Sequence, residues 1–232
     1  MSTLLKKPIL ILLILTLLPE INFGQQFFRI SADFSIKEKI ADGTSRLIVG
    51  KVYYDLSAEK IIYDISFPEP ETWVLKDTTL YRFQSNELLG KSSSFVIPTS
   101  SFFHFTLSGQ LANFGLRNSG FTIIDVAKKE DQILTTWEPE EEKVKSSLGK
   151  VIMSNLDKKL QAIAFYNPDN DLLSKQFYKN YTNVSGCEVP TEITQINYHE
   201  QGQNYQVTSY KNVIINEKGN EIICAKYSFN PI

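Results

Sequence analysis

GKVYYDLSAEKIIYDISFPEPETWVLKDTTLYRFQ, residues 50 to 84, decides the fold class, because it reads as strand after strand with no room for a helix. In its middle, Ile61, Tyr63, Ile65 and Phe67 share one face and Ile62, Asp64 and Ser66 the other. That period of two belongs to a half-buried strand. Pro68-Glu69-Pro70 closes this strand, and Thr72 to Lys76 and Thr79 to Gln84 follow at once. Working outward, Phe28 to Ile40 ends at the turn signal Ala41-Asp42-Gly43 and Arg46 to Asp55 comes next. Towards the carboxyl end the pattern resumes at Phe121 to Ala127, Gln132 to Trp137, Lys150 to Asn155, Leu160 to Tyr166, Ser174 to Tyr181, Thr191 to His199 and Asn204 to Ile215. The connections are too short to carry crossover helices, so parallel βαβ units are excluded and an antiparallel, mainly β protein is expected, as an open or closed barrel.

One stretch breaks the alternation. From Pro98 to Phe114, the residues Phe103, Leu107, Leu111 and Phe114 recur at spacings of four, four and three, with Thr99 to Ser101 available as caps. That spacing predicts a helix with one apolar stripe. Gly109 inside it costs about 1 kcal/mol relative to alanine, so the helix is loosely held unless its stripe is docked.

At the amino end, Lys6 and Lys7 precede the apolar run Ile9 to Leu18, and Phe23-Gly24-Gln25 ends a more polar stretch. The run is shorter than the roughly 20 apolar residues a membrane span needs, and its flanks fit an export signal cleaved after Gly24. Residues 25 to 232 are then one domain of 208 residues, with 22 basic and 25 acidic side chains once Lys6, Lys7 and Glu20 are removed. That mildly acidic balance, without a basic cluster, argues against nucleic acid as a partner. Cys187 and Cys224 both lie in the exported part, where a disulfide is the default reading. Such a bridge closes a long loop and contributes about 3 to 5 kcal/mol in the chain-entropy model, with the Cα atoms within about 7 Å.

Catalytic chemistry finds little to stand on. The chain has only two histidines, His104 and His199, and neither has a serine, cysteine or carboxylate partner at a recognisable spacing. No zinc spacing is present, so neither a metal nor a cofactor is expected. The run Glu138-Pro139-Glu140-Glu141-Glu142 reads as a solvated hairpin loop and not as a pair of catalytic carboxylates, which must face each other across a cleft. The protein is therefore not expected to be an enzyme, and a hydrolase is the least supported reading.

The opening stretch resembles the LolA family of periplasmic carriers of outer-membrane lipoproteins. The features that carry the resemblance are Gly50 ahead of Tyr53 and Tyr54, Tyr63 with Pro68, the acidic turn at Asp77, and the pair Tyr81 and Phe83. Further on, Pro98 to Leu111 resembles the family's helix over its groove, and residues 121 to 139 its next hairpin. Residues 184 to 216 are similar to the late strands of the wider lipoprotein-sorting superfamily. The resemblance implies an incomplete antiparallel barrel of about eleven or twelve strands around an apolar cavity, with a helical lid. Two features depart from the family pattern: no helix precedes the first strand, and Ser57 stands where the carriers hold an arginine that locks the lid.

On this resemblance the function expected is a periplasmic, monomeric carrier of lipid or lipoprotein acyl chains, with membrane-bound donor or acceptor proteins as further partners. Its cavity would be lined by Tyr54, Trp73, Phe83, Phe103 and Trp137, with Leu107 and Leu111 pointing in from the lid. The alternative is an envelope module of the same fold that senses or docks proteins. Amino-terminal sequencing of the protein from its host checks the export reading: it should return Gln25 or a near neighbour, whereas an intact Met1 in the membrane fraction would make the segment an anchor.

Overall fold

The computed structural model describes residues 27–94, 96–217, 223 and 225–227. The export signal therefore lies outside the described residues, as does Cys224. Among the described residues no helix is long and apolar enough to cross a membrane.

The described residues form one antiparallel sheet of 13 strands that does not close on itself. Strands β1 (Arg29–Lys39), β2 (Ser45–Asp55), β3 (Lys60–Phe67), β4 (Glu71–Lys76), β5 (Thr79–Gln84) and β6 (Glu87–Ser93) meander outward to one free edge. The chain then crosses to the opposite free edge. From there β7 (Phe121–Lys129), β8 (Gln132–Pro139), β9 (Val151–Leu156), β10 (Lys159–Tyr166), β11 (Leu172–Val184), β12 (Cys187–His199) and β13 (Gly202–Ile215) meander back. The last strand pairs with the first, from Ile30 opposite Ile215 to Lys39 opposite Tyr205. Asn216 seals this junction: its Oδ1 accepts from the backbone N–H of Phe28 at 2.8 Å and its own N–H donates to Arg29 O at 3.0 Å.

The hairpins are tight for a local reason. Ser85-Asn86, Asp157-Lys158 and Ser185-Gly186 each turn the chain with φ positive at both residues, which matches the right-handed twist of the flanking strands. Each pairs directly across a two-residue loop, as Leu156 does with Lys159. In the β1–β2 turn Gly43 takes φ 90° and the Asp42 carboxylate accepts from Thr44 N–H at 2.7 Å.

Alternation sorts the side chains between two faces. Ile61 and Ile65 are buried on the concave face with Phe34, Val52, Tyr54 and Leu75, as their period of two requires, and Tyr63 packs against them. Ile62 and Val74 form a small convex-face cluster with Tyr81 and Phe83, covered by Ile223 and Tyr227. Lys60 is buried there and its Nζ donates to Tyr227 O at 2.9 Å. Phe67 lies past a register shift between Val49 and Gly50 at the open end of this face, 49% exposed, and lines the same wall as Ile48, Ile65 and Trp73.

Two expectations are corrected. The helix over 98 to 114 is broken: a 3-10 turn (Pro98–Ser100) leads into α1 (Phe102–Leu107), followed by 3-10 turns at Leu111–Asn113 and Leu116–Asn118. Gly109 is the reason. It adopts φ 70°, its N–H bonds Thr106 O, and Gln110 N–H bonds Phe105 O at 2.7 Å, a left-handed cap that ends the helix. Thirteen strands are described, against eleven or twelve, because β6 (ELLGKSS) shows no apolar alternation; β12 also starts earlier than Thr191, ahead of Pro190, a residue that argues against a strand. Cys187 is a buried thiol on the concave face; the disulfide expected with Cys224 lies outside the described residues.

Gly50 marks the closest approach of β2 to β3, where a Cβ would collide with the carbonyl of Asp64. Gly50→Ala should therefore destabilise the protein by about 1 to 3 kcal/mol, read as a lower urea midpoint at unchanged slope; an unchanged midpoint would show that β3 yields without cost.

Candidate functional site

The crossing between the two free edges is the lid. It lies on the concave face, and both of the large cores are built beneath it. Phe103 and Leu107 pack with Ile30, Tyr54, Leu75, Val189 and Tyr210. Phe105, Leu111 and Leu116 pack with Trp137, Met153, Leu160, Ile163 and Tyr178. Ser101 starts α1 by accepting from His104 N–H at 3.3 Å while donating to Pro98 O at 2.6 Å, the usual role of a serine at a helix start.

Aromatic rings hold the lid at its centre. Phe103 stacks on Tyr54 with centroids 6.1 Å apart and an interplanar angle of 16°. Phe102 lies 4.0 Å from Phe103 and 5.1 Å from Tyr210. Further along, Phe105 meets Phe114 at 4.8 Å, and Phe114 meets Phe165 at 5.9 Å. The middle of the concave face is thus filled by the lid's own side chains. Open space remains at its two ends. A cavity of about 500 Å³ lies where β2 and β4 start and β3 and β5 end, against Ile48, Ile65 and Trp73, with Arg82 bound to Glu71 at 2.7 Å. A second, of about 420 Å³, lies at the opposite end, beneath Leu107 and Leu111 and beside Lys159 and Cys187.

The seven residues named from sequence fall into different places. Tyr54, Phe103 and Leu107 meet in one concave core, with Trp73 packed against it. Leu111 and Trp137 belong to the neighbouring core, and the Trp137 indole N–H donates to Thr135 Oγ1 at 2.8 Å. Phe83 faces the other way: it packs against Tyr227 at 5.1 Å on the convex side. Phe102, Phe105 and Tyr210 were not singled out, although the run Phe102-Phe103-His104-Phe105 is a visible signal.

One polar contact ties lid to sheet in the middle of this apolar packing. The hydroxyl of Tyr54, a residue with no exposed surface, shares a hydrogen bond of 2.8 Å with His104 Nδ1. Burial raises the Tyr54 phenol well above its ordinary range and lowers His104 below its usual 6.5, against a smaller upward pull from Glu59. Burial thus favours the neutral form of both partners, and the imidazole tautomer sets which of the two donates. His199 lies at the far side of the molecule, on the β12–β13 turn beside Asn204. The acidic run near Glu142 is exposed and pairs only locally, Lys145 with Glu142 at 2.8 Å. No group of three or more histidine, cysteine or acidic side chains that could hold a metal occurs among the described residues.

An open antiparallel sheet whose concave apolar face is covered by a tethered lid is the LolA-like fold. Solved structures of this fold match nearly the whole chain. A LolA superfamily protein from Nitrosomonas europaea shares 17% identity over 88% of this chain and 92% of its own, with a TM-score of 0.55. An outer membrane lipoprotein-sorting protein domain from Vibrio parahaemolyticus shares 12% over 86% and 91%, with a TM-score of 0.58. A DUF1329 family protein from Desulfovibrio piger shares 8% over 83% and 87%, with a TM-score of 0.55. No protein-family model and no curated protein matches the sequence.

Burial of His104 beneath the closed lid makes closure depend on pH. A lid that opens frees His104 to take a proton near its ordinary value, whereas the closed lid resists protonation; closure is therefore strongest above about pH 6.5 and weakens as pH falls below it. His104→Gln keeps an acceptor for Tyr54 but does not titrate. Between pH 7.5 and 5.5 the parent should lose more thermal stability than this variant, and equal losses would exclude His104 as the titrating group.

Proposed function

We propose that the protein is a periplasmic carrier that binds acyl chains of lipids or lipoproteins on the concave face of its sheet, and that it is not an enzyme. The observation that carries this reading is the lid itself: Phe102, Phe103 and Leu107 occupy the face of the sheet that an acyl chain would use. The lid then acts as an internal stand-in for the ligand, keeping that face dry until cargo replaces it.

Magnitudes favour the exchange. Exposing Phe102, Phe103 and Leu107 costs roughly 5 to 9 kcal/mol at about 1.5 to 3 kcal/mol per side chain. An acyl chain of about fourteen carbons gains roughly 0.8 kcal/mol per methylene, about 10 kcal/mol at full burial. The margin is small enough for binding to be reversible, as a carrier requires. The lipoprotein-sorting domain from Vibrio parahaemolyticus, similar in fold, supports the same class of cargo. The cavity beside Trp73 gives a chain a place to enter without full lid displacement.

A second reading, an envelope module that docks proteins, draws on the same aromatic packing, since the middle of the face is already filled. Two measurements separate them. Acyl lipid extracted from protein of the native host and identified by mass spectrometry supports the carrier; a stable protein complex without lipid supports the module. Phe103→Ala removes the ring stacked on Tyr54 and should speed association of a triacylated lipopeptide at least tenfold, about 1.4 kcal/mol or more in lid opening. No lipopeptide binding by either form would overturn the carrier reading.

A further inference from the structure

The concave face changes character towards the end where β2 starts. One row across β1, β13, β12 and β11, formed by Ile36, Thr208, Ile193 and Tyr178, still packs with the covered cores. Two residues further along the same four strands, the next concave row is Glu38, Gln206, Gln195 and Gln176. Asn197 follows on β12, opposite Asn204. Alternation sends the lysines of these segments, Lys37, Lys39, Lys175 and Lys179, to the convex face. A face that need only be wet can carry lysines, as the convex one does; amides in their place offer hydrogen bonds without charge.

These amides are not spent on one another. Their bonds run along the strands: Gln195 Nε2 donates to Asn197 Oδ1 at 2.9 Å, Gln206 Nε2 to Thr208 Oγ1 at 3.2 Å, and the Tyr178 hydroxyl to Gln176 Oε1 at 2.6 Å. Among the described residues no bond joins one of the three glutamines to the next. A primary amide carries two N–H donors and an oxygen with two lone pairs, so each glutamine keeps both donor and acceptor capacity. All three are part-exposed.

Beyond Glu38 the row meets the cavity of about 500 Å³, because Arg46 lies opposite Glu38 and lines its wall. Phe67 and Trp73 line the same wall, and Phe67 is 49% exposed. The Trp73 indole N–H donates to Glu71, whose carboxylate also accepts from Arg82 Nε at 2.9 Å, so this ring is held in one orientation. Arg46 and Arg82 are offset by Glu38, Glu69 and Glu71, which leaves no surplus of positive charge to draw an anion. Uncharged groups that donate and accept, next to aromatic faces, match the hydroxyls and the C–H faces of a sugar. Three strand spacings separate Gln195 from Arg46, about 14 Å at roughly 4.8 Å each, a span for several rings and not for one.

We propose that this open end of the concave face binds an uncharged oligosaccharide. One ring stacks on Phe67 and Trp73 in the cavity, and the hydroxyls of further rings bond to Gln206, Gln195 and Gln176. The site is independent of the carrier reading: its ligand belongs to another chemical class and lies outside the space under Phe102 and Phe103. The two meet only at the cavity beside Trp73.

Titration with maltotriose and with chitotriose, followed by nitrogen NMR of the side-chain N–H groups, tests the assignment. At least one of the two sugars should bind and shift the signals of the Trp73 indole and of the Gln195 and Gln206 amides. Phe67→Ala, at a half-exposed position, should weaken that sugar about fivefold through the lost ring contact. Gln195→Leu keeps the bulk of the side chain and should weaken it by a similar factor through the lost hydrogen bonds. Lys175→Ala, on the convex side of the same strands, should leave binding unchanged. No binding of either sugar, or binding that both Phe67→Ala and Gln195→Leu leave intact, would overturn the proposal. Binding of dodecyl maltoside without maltotriose would overturn it too, since the amide row would then serve the headgroup of an acyl ligand. Lipopeptide binding by the parent keeps the two readings apart: if it occurs while both sugars fail, this site falls and the carrier stands, and the reverse outcome removes the carrier and keeps the site.

Discussion

The pairing of β1 with β13 is the constraint on which the rest of this molecule depends. By joining the two ends of the chain in the middle of the sheet, it sends the first six strands to one free edge and requires the seventh to begin at the other. The segment between Ser93 and Phe121 must then bridge the gap between edges. A bridge over the convex side would leave the apolar stripe of Phe103, Leu107 and Leu111 facing water, so it runs over the concave side, where that stripe meets Tyr54, Val189 and Met153. Topology and hydrophobic burial select the same path.

A lid that is part of the core has consequences for both stability and function. Phe103 and Leu107 contribute to the same cluster as the first three strands, and Phe105 and Leu111 to the cluster of the late ones. The two halves of the sheet are therefore linked by backbone hydrogen bonds at β1–β13 and by side chains through the lid. Function under the carrier reading requires partial surrender of the second link while the first stays intact. The helix that must move is short, ended early by Gly109, and carries the polar contact between His104 and Tyr54. Those are features of an element drawn from the less stable part of a fold. The convex face carries its own cover in Ile223 and Tyr227.

Much of this architecture was legible in the sequence. The alternation of Ile61, Tyr63 and Ile65 placed them on the buried face, and the spacing of Phe103, Leu107 and Leu111 marked the one stretch that is not a strand and that docks by its apolar side. These signals are local: they depend on the strand period of two and the helix period near 3.6, which a short window contains. The pattern of short connections likewise fixed the antiparallel class, because chain length alone forbids crossovers.

What the tertiary structure decided is non-local. Phe83 alternates as well as Tyr63 does, yet it lies on the convex side under Tyr227, and only the register against β4 and β6 determines that. The meeting of His104 with Tyr54 across 50 positions joins residues distant in the chain. Periodicity states which way a side chain points relative to its neighbours; which partner it meets is set by strand order and by the path of the crossing segment, and neither is written in any single stretch of the sequence.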